Sequence, residues 1–319
     1  MSATFTGGVT ISGGWTLTAA PPANPTATAG WWAGGATYSI VQRITFATDT
    51  ATASQRGSLP YIVWAGSGVG TNDYGWFGGG YGGPTPFVLL SSINRITYAA
   101  DTATATARGP LSIARYSQSA TGNSTYGWVN GGGGFSPMVR GISNVDRITY
   151  ATDTATASAR GPLSAGRYAC ASVGNNNYGW TAAGYKTGTM STVDRIDYSN
   201  DTATASVRGP LSSSTYQTAG TSDGTTYGWI GGGNAPTTSS VNRIDYSNDT
   251  GTTSIRGPLS FARYALSATG NDTYGWFAAG AGNLSLVDRI TYSNDTAVAG
   301  VRGPMLQGLS QMNAAAGIQ

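Results

Sequence analysis

Sixteen arginines and fourteen aspartates carry almost all the charge chemistry of this 319-residue sequence; Lys186 is the one lysine, Cys170 the one cysteine, and histidine and glutamate are absent. Such a set can bind carboxylates or phosphates through arginine forks, place two aspartates for glycoside hydrolysis, or offer oxygen ligands to calcium. It rules out a Ser-His-Asp triad, a Cys-His pair and His-ligated zinc or copper. Spacing narrows the rest. The arginines recur in pairs thirteen residues apart: Arg43 and Arg56, Arg95 and Arg108, Arg147 and Arg160, Arg195 and Arg208, Arg243 and Arg256, Arg289 and Arg302. A residue present in every copy of a unit usually serves the unit, so these arginines are expected to pair with backbone or aspartate groups between units. The repeated Asp101, Asp153, Asp201, Asp249 and Asp295 supply one carboxylate per turn, too few for a calcium cage, and read as Asx-turn formers. No catalytic residue, metal or cofactor is expected, although a ligand or ion at these arginines and aspartates stays open.

What must position these residues is a repeat. Strings such as RITYATDTATASARG, from Arg147, occur six times at start-to-start spacings of 52, 52, 48, 48 and 46 residues, the length of a propeller blade. A second signature alternates with the first: Gly30-Trp31, then Tyr-Gly-Trp ending at Trp76, Trp128, Trp180, Trp229 and Trp276. The step from second arginine to Trp is 20 or 21 residues throughout, whereas the step from Trp to the next first arginine ranges from 12 to 19. One connection per unit therefore varies. Thr, Ser, Val, Ile, Tyr and Gly dominate, and these favour strands and turns over helices. Each unit reads as four strands: a small-residue inner strand such as 115–120, the Tyr-Gly-Trp strand, a third strand such as 145–150, and a fourth such as 154–158, with Arg-Gly-Pro ending the ladder.

These units resemble the kelch repeat. In the fourth unit Val193, Arg195, Tyr198, Thr202, Pro210 and Leu211 fall where that family places its Val, Tyr-Asp-Pro-x-Thr and Pro-Met elements, and Pro304-Met305 matches the last. Arg115, Arg167 and Arg263 match the arginine that opens the next inner strand, and Gly78–Gly80 and Gly231–Gly233 match the double glycine. One departure is regular: Ala105, Ala157 and Ala205 stand where the family has Trp, which moves the aromatic packing to the Tyr-Gly-Trp strand. The resemblance, over about residues 28–319, implies an all-β, six-bladed kelch-like propeller with four-stranded blades. The stretch Leu309–Ala315 is expected to supply the inner strand that the first blade lacks and so to close the ring. Without histidine, the copper site of galactose-oxidase-type kelch enzymes is excluded. A sialidase-like arginine cluster is disfavoured by the even spread of Arg, Tyr and Asp.

Residues 1–24 lie outside the expected ring of residues 25–319. Phe5, Val9, Ile11, Trp15 and Leu17 alternate with polar residues like one or two short strands and read as a docking segment, followed by the stiff Pro21–Pro25 linker. This Gly-Gly-punctuated start, joined to such uniform repeats, resembles virion proteins of tailed phages, especially those of cyanobacterial hosts. The chain is therefore expected to be a non-enzymatic virion accessory or appendage protein, made in a host cytoplasm. Its docking segment would meet other virion proteins and its variable loops a protein or host-surface glycan. Tyr81, Phe87, Leu89, Phe135, Met138, Arg140, Tyr185 and Lys186 on those loops are the candidate partner-binding residues; folding back onto their own blades is the competing reading. A net charge of +3 spread singly along the chain gives no nucleic-acid footprint, and neither a membrane span nor a signal peptide is expected. A carbohydrate-binding or carbohydrate-active propeller, lectin or sialidase- or lyase-like, is the alternative. Oligomeric state is not legible.

Overall fold

The computed structural model describes residues 10–11, 15–16, 27–35, 38–84, 87–134 and 141–316. Six four-stranded antiparallel sheets follow one another along the chain, and their inner strands touch in a closed cycle. This chain is a six-bladed β-propeller. Blade three shows the common plan from axis to rim: Ser119–Gly122, Tyr126–Asn130, Val145–Thr149 and Ser158–Arg160. Blade one is assembled from both chain ends, because Asn313–Ala316 pairs antiparallel with Ala29–Ala33, Asn313 opposite Ala33 and Ala316 opposite Gly30. That closure is the one expected from the missing inner strand. Ahead of the ring, Thr10–Ile11 pairs with Trp15–Thr16.

Two strand boundaries differ from the sequence reading, both for the same reason. The outer strand of blade three is Ser158–Arg160 and not 154–158, because the Asp-Thr-Ala-Thr-Ala run bonds to the neighbouring blade: the Ala157 amide donates to the carbonyl of Pro110 at 2.8 Å. The inner strand begins at Ser119, since Arg115 and Tyr116 still belong to the connection crossing the face of the disk. In both places a bond between blades replaces one within the blade.

The repeated signatures are seam chemistry. Each second-strand Trp stacks on the ring that follows the third strand of the next blade, in the pairs Trp31–Tyr98, Trp76–Tyr150, Trp128–Tyr198, Trp180–Tyr246, Trp229–Tyr292 and Trp276–Phe46, with centroids 3.7–4.3 Å apart. The aromatic packing lies on the Tyr-Gly-Trp strand, as expected. The indole Nε1 of the same Trp donates to an aspartate of that next blade at 2.8–2.9 Å. The first arginine of each pair reaches the same carboxylate oxygen at 2.9–3.1 Å, and the second approaches through Nε at 3.2–3.5 Å. The sixth clasp, Trp276, Arg289 and Arg302 on Asp49, bridges the two ends of the chain. These aspartates are thus inter-blade acceptors and not the Asx formers expected of them. The Asx role falls to the inner hairpins, where Asn123 Oδ1 accepts from the amides of Thr125 and Tyr126.

Candidate functional site

The six variable connections join second to third strands and emerge on one face of the disk, together with the crossings from outer strand to next inner strand. Each crossing must turn sharply down into the channel. It does so at one left-handed residue per blade, Ala65, Ser117, Ala169, Gln217, Ala265 or Gln311, with φ of 51–56°. A non-glycine residue in that region costs about 1 kcal/mol or more. The cost is offset by a cyclic bond pattern: the amide of each donates to the carbonyl of its counterpart in the preceding blade, Ser117 to Ala65 and onward round to Ala65 to Gln311, at 2.5–2.9 Å. The result is a closed collar of six backbone hydrogen bonds round the channel mouth.

Inside the collar lies a cavity of about 140 Å³ lined by all six inner strands, with Ser172, Gln118, Thr218 and Asn313 among its polar residues and Cys170 in its wall. Burial pushes the Cys170 thiol up, only partly countered by its hydrogen bond with Ser119. Several lining groups are buried without a hydrogen-bond partner: Ser67 Oγ, Gln118 Oε1, Thr218 Oγ1, Ser267 Oγ and Asn313 Oδ1. A larger hollow of about 450 Å³ lies on the opposite face between blades three and four, but its Asp197 and Ser199 already bond each other and Asn123 bonds Asn176.

Immediately before each collar residue stands an aromatic in five of the six blades, Trp64, Tyr116, Tyr168, Tyr216 and Tyr264, with Ser310 in the sixth, and all five are half-buried. They are held to the variable loops by short backbone ladders: Tyr116 pairs with Gly133, Tyr168 with Tyr185 and Tyr216 with Asn234. Tyr116 and Tyr168 lie 6.0 Å apart, Tyr185 bridges Tyr168 and Tyr216 at 5.8 and 5.3 Å, and Trp64 meets Tyr81 and Phe87 edge-on at 4.9 and 5.2 Å. This aromatic rim was missed in the sequence. Its signal was available: an aromatic six residues after the third position of Arg-Gly-Pro or Arg-Gly-Ser, in five repeats.

Of the residues picked from the sequence, Tyr81, Phe87 and Tyr185 join this rim. Leu89 is drawn into a three-stranded sheet with Tyr81 and Trp64. Phe87 both packs on Trp64 and remains 38% exposed, so contact surface and folding back coexist there. Lys186 is exposed. Phe135, Met138 and Arg140 lie outside the described residues, as do Phe5, Val9 and Leu17; Ile11 and Trp15 are register partners in the short hairpin.

The charge layout is one-sided. All fourteen carboxylates can be placed, and six are held in the clasps between blades. Asp146, Asp194 and Asp288 are buried beneath the variable-loop face against Arg115, Arg167 and Arg263. Burial pushes the Arg115 guanidinium below its usual value, and the Asp146 carboxylate pulls it back. The other five, Asp73, Asp197, Asp223, Asp245 and Asp272, sit at the short turns or strand ends of the opposite face. Fifteen arginines are likewise in ion pairs, which among the described residues leaves Lys186 as the basic side chain outside them. Among the described residues no cluster of three metal-ligating side chains occurs, and no helix is long and apolar enough to cross a membrane.

No family model and no curated protein matches the sequence. Among solved structures, the one titled "Structure of YjhT" is similar over 81% of this chain and 89% of that one, with a TM-score of 0.63 at 14% identity. The likeness is one of fold.

Proposed function

We propose that this chain is a non-enzymatic attachment propeller of the kelch-like kind, a phage virion accessory protein whose variable-loop face contacts a partner and whose residues 1–24 dock it on the particle. The observation that carries the contact role is the aromatic rim: half-buried rings from five blades, each next to a collar residue and several held to the variable loops, on the face where the loops differ most. Aromatic side chains with one enclosed and one open side are typical anchors of recognition surfaces. The non-enzymatic part is supported by the carboxylate layout, since general acid and base groups for glycoside chemistry would have to face that mouth. The virion part is supported by the sequence resemblance of the N-terminal stretch and the uniform repeats.

Peptide mass spectrometry of purified particles from the source host tests the placement; the expected result is this chain at a fixed ratio to the capsid protein. Deleting residues 1–24 should then remove it from the particle, and unchanged incorporation would refute the docking role. A carbohydrate-binding propeller is the second reading, favoured by the same rim.

A further inference from the structure

We infer that the channel mouth on the variable-loop face takes a neutral, hydroxyl-rich ligand: the uncharged terminal sugar of a glycan, set within the collar, with the units that follow it lying across the aromatic rim outside. This deepens the attachment role and rests on it. Three features converge on that chemistry.

The first is the pairing of flat apolar faces with neutral polar groups. Outside the cavity lining, Tyr168, Tyr185 and Tyr216 form a continuous half-buried arc, suited to the C–H faces of the sugars that follow the first, while the collar that lines the cavity alternates alanine with Ser117, Gln217 and Gln311, whose side chains are partly open. Hydroxyl and carboxamide groups donate and accept, as sugar hydroxyls do. Beneath them the cavity is lined by Ser172 and other small neutral residues of the six inner strands, and no charged side chain is among them.

The second is the charge. With every aspartate in a clasp, in a buried pair or on the far face, and the described arginines all in ion pairs, a charged ligand would find Lys186 and little else among the described residues. Arginine forks, the usual means of holding carboxylate, sulfate or phosphate, are engaged among the described residues in the seams or in the buried pairs of Arg115, Arg167 and Arg263.

The third concerns size and backbone. About 140 Å³ is below the roughly 300–1,000 Å³ of a pocket that engulfs a drug-sized molecule, so one ring enters and the remainder lies across the rim. A peptide is the weaker candidate, because strand addition needs open backbone groups and the collar amides and carbonyls bond one another round the ring.

The test is a panel of immobilised oligosaccharides probed with the full chain: neutral glucans, galactans, mannans and N-acetylglucosamine oligomers beside sialylated, sulfated and uronic-acid-bearing ones. Binding should favour the neutral set. Tyr216→Ala and Gln217→Ala should each weaken it by roughly tenfold, with Tyr216→Phe keeping most of the affinity and all variants melting near the parent temperature. No binding to any neutral oligosaccharide, a preference for the charged set, or affinity indifferent to both alanine substitutions would each overturn the inference. Particle adsorption to host cells separates it from the parent reading. Adsorption lost in Tyr216→Ala without glycan binding sinks the sugar and keeps attachment through a protein; adsorption unchanged in that variant sinks attachment through this face.

Discussion

Each clasp asks one carboxylate oxygen to serve an indole and two guanidiniums, so the aspartate is the residue whose loss is felt most. In Asp153→Asn the amide keeps an acceptor for the Trp76 indole but leaves Arg95 and Arg108 without a counter-charge. Those arginines are about one-fifth exposed, which lets water take up part of the deficit; the expected loss is on the order of 2–3 kcal/mol, read as a lower urea midpoint at unchanged slope. The stacked tyrosines carry a second prediction. Burial pushes the phenols of Tyr98, Tyr150, Tyr198, Tyr246 and Tyr292 above their usual value. The unfolded chain therefore releases these protons first, near pH 10, so their contribution is intact below that pH and declines as pH rises above it. Absorbance at 295 nm should show these phenols silent until the protein unfolds. Tyr150→Phe should lessen the alkaline slope, much as Phe46 already stands at the equivalent place in blade one.

At the scale of elements, two glycines of the repeat answer to different constraints. The Gly of Tyr-Gly-Trp makes room for the tyrosine of its own blade: a Cβ on Gly127 would stand 2.9 Å from the Tyr150 hydroxyl. The Gly of Arg-Gly-Pro is pressed against the next blade, where a Cβ on Gly109 would run into the carbonyl of Ala155 while the Gly109 amide donates to the backbone carbonyl of Asp153 at 2.8 Å. Gly109→Ala must part the seam and should cost about 2 kcal/mol or more in a thermal melt. Gly251→Ala is the counter-case, for nothing lies within 4 Å of its Cβ and alanine stands at the equivalent Ala103, Ala155 and Ala203; a gain of about 0.5 kcal/mol is expected. The crossing beneath the variable-loop face shows substitution in concert. Where the pair is not Arg and Asp, as in blades three, four and six, it is Val63 with Asn94, Thr215 with Asn242, or Leu309 with Gln42, and no blade keeps a lone buried charge. A serine amide and hydroxyl cap the aspartate or asparagine in blades three to six, as Ser112 does Asp146 and Ser212 does Asn242.

The whole molecule is held by cyclic devices, the six clasps and the collar, and each is complete only when the last strand is in place. Ending the chain after residue 308 would remove the inner strand of blade one and the Gln311 link of the collar, so sharp two-state melting should give way to a broad transition and self-association through the bared edge. Cys170, 7% exposed in the channel wall with its thiol pushed up by burial, reports the same event: labelling by a thiol reagent should be slow in the intact ring and fast in the truncated one. Much of this architecture was legible because repetition exposes it. The blade count, the ring closure and the structural use of the paired arginines follow from residues that recur at fixed spacing, and recurrence marks what a blade needs. The aspartate's partners were not legible, since Trp76 and Asp153 are 77 residues apart and meet only when blade two packs on blade three. Nor was the aromatic rim. Tyr116, Tyr168 and Tyr216 look like ordinary members of a small-residue strand until a left-handed turn at the following residue lifts them out of it, and that turn exists because six such residues bond to one another in a ring.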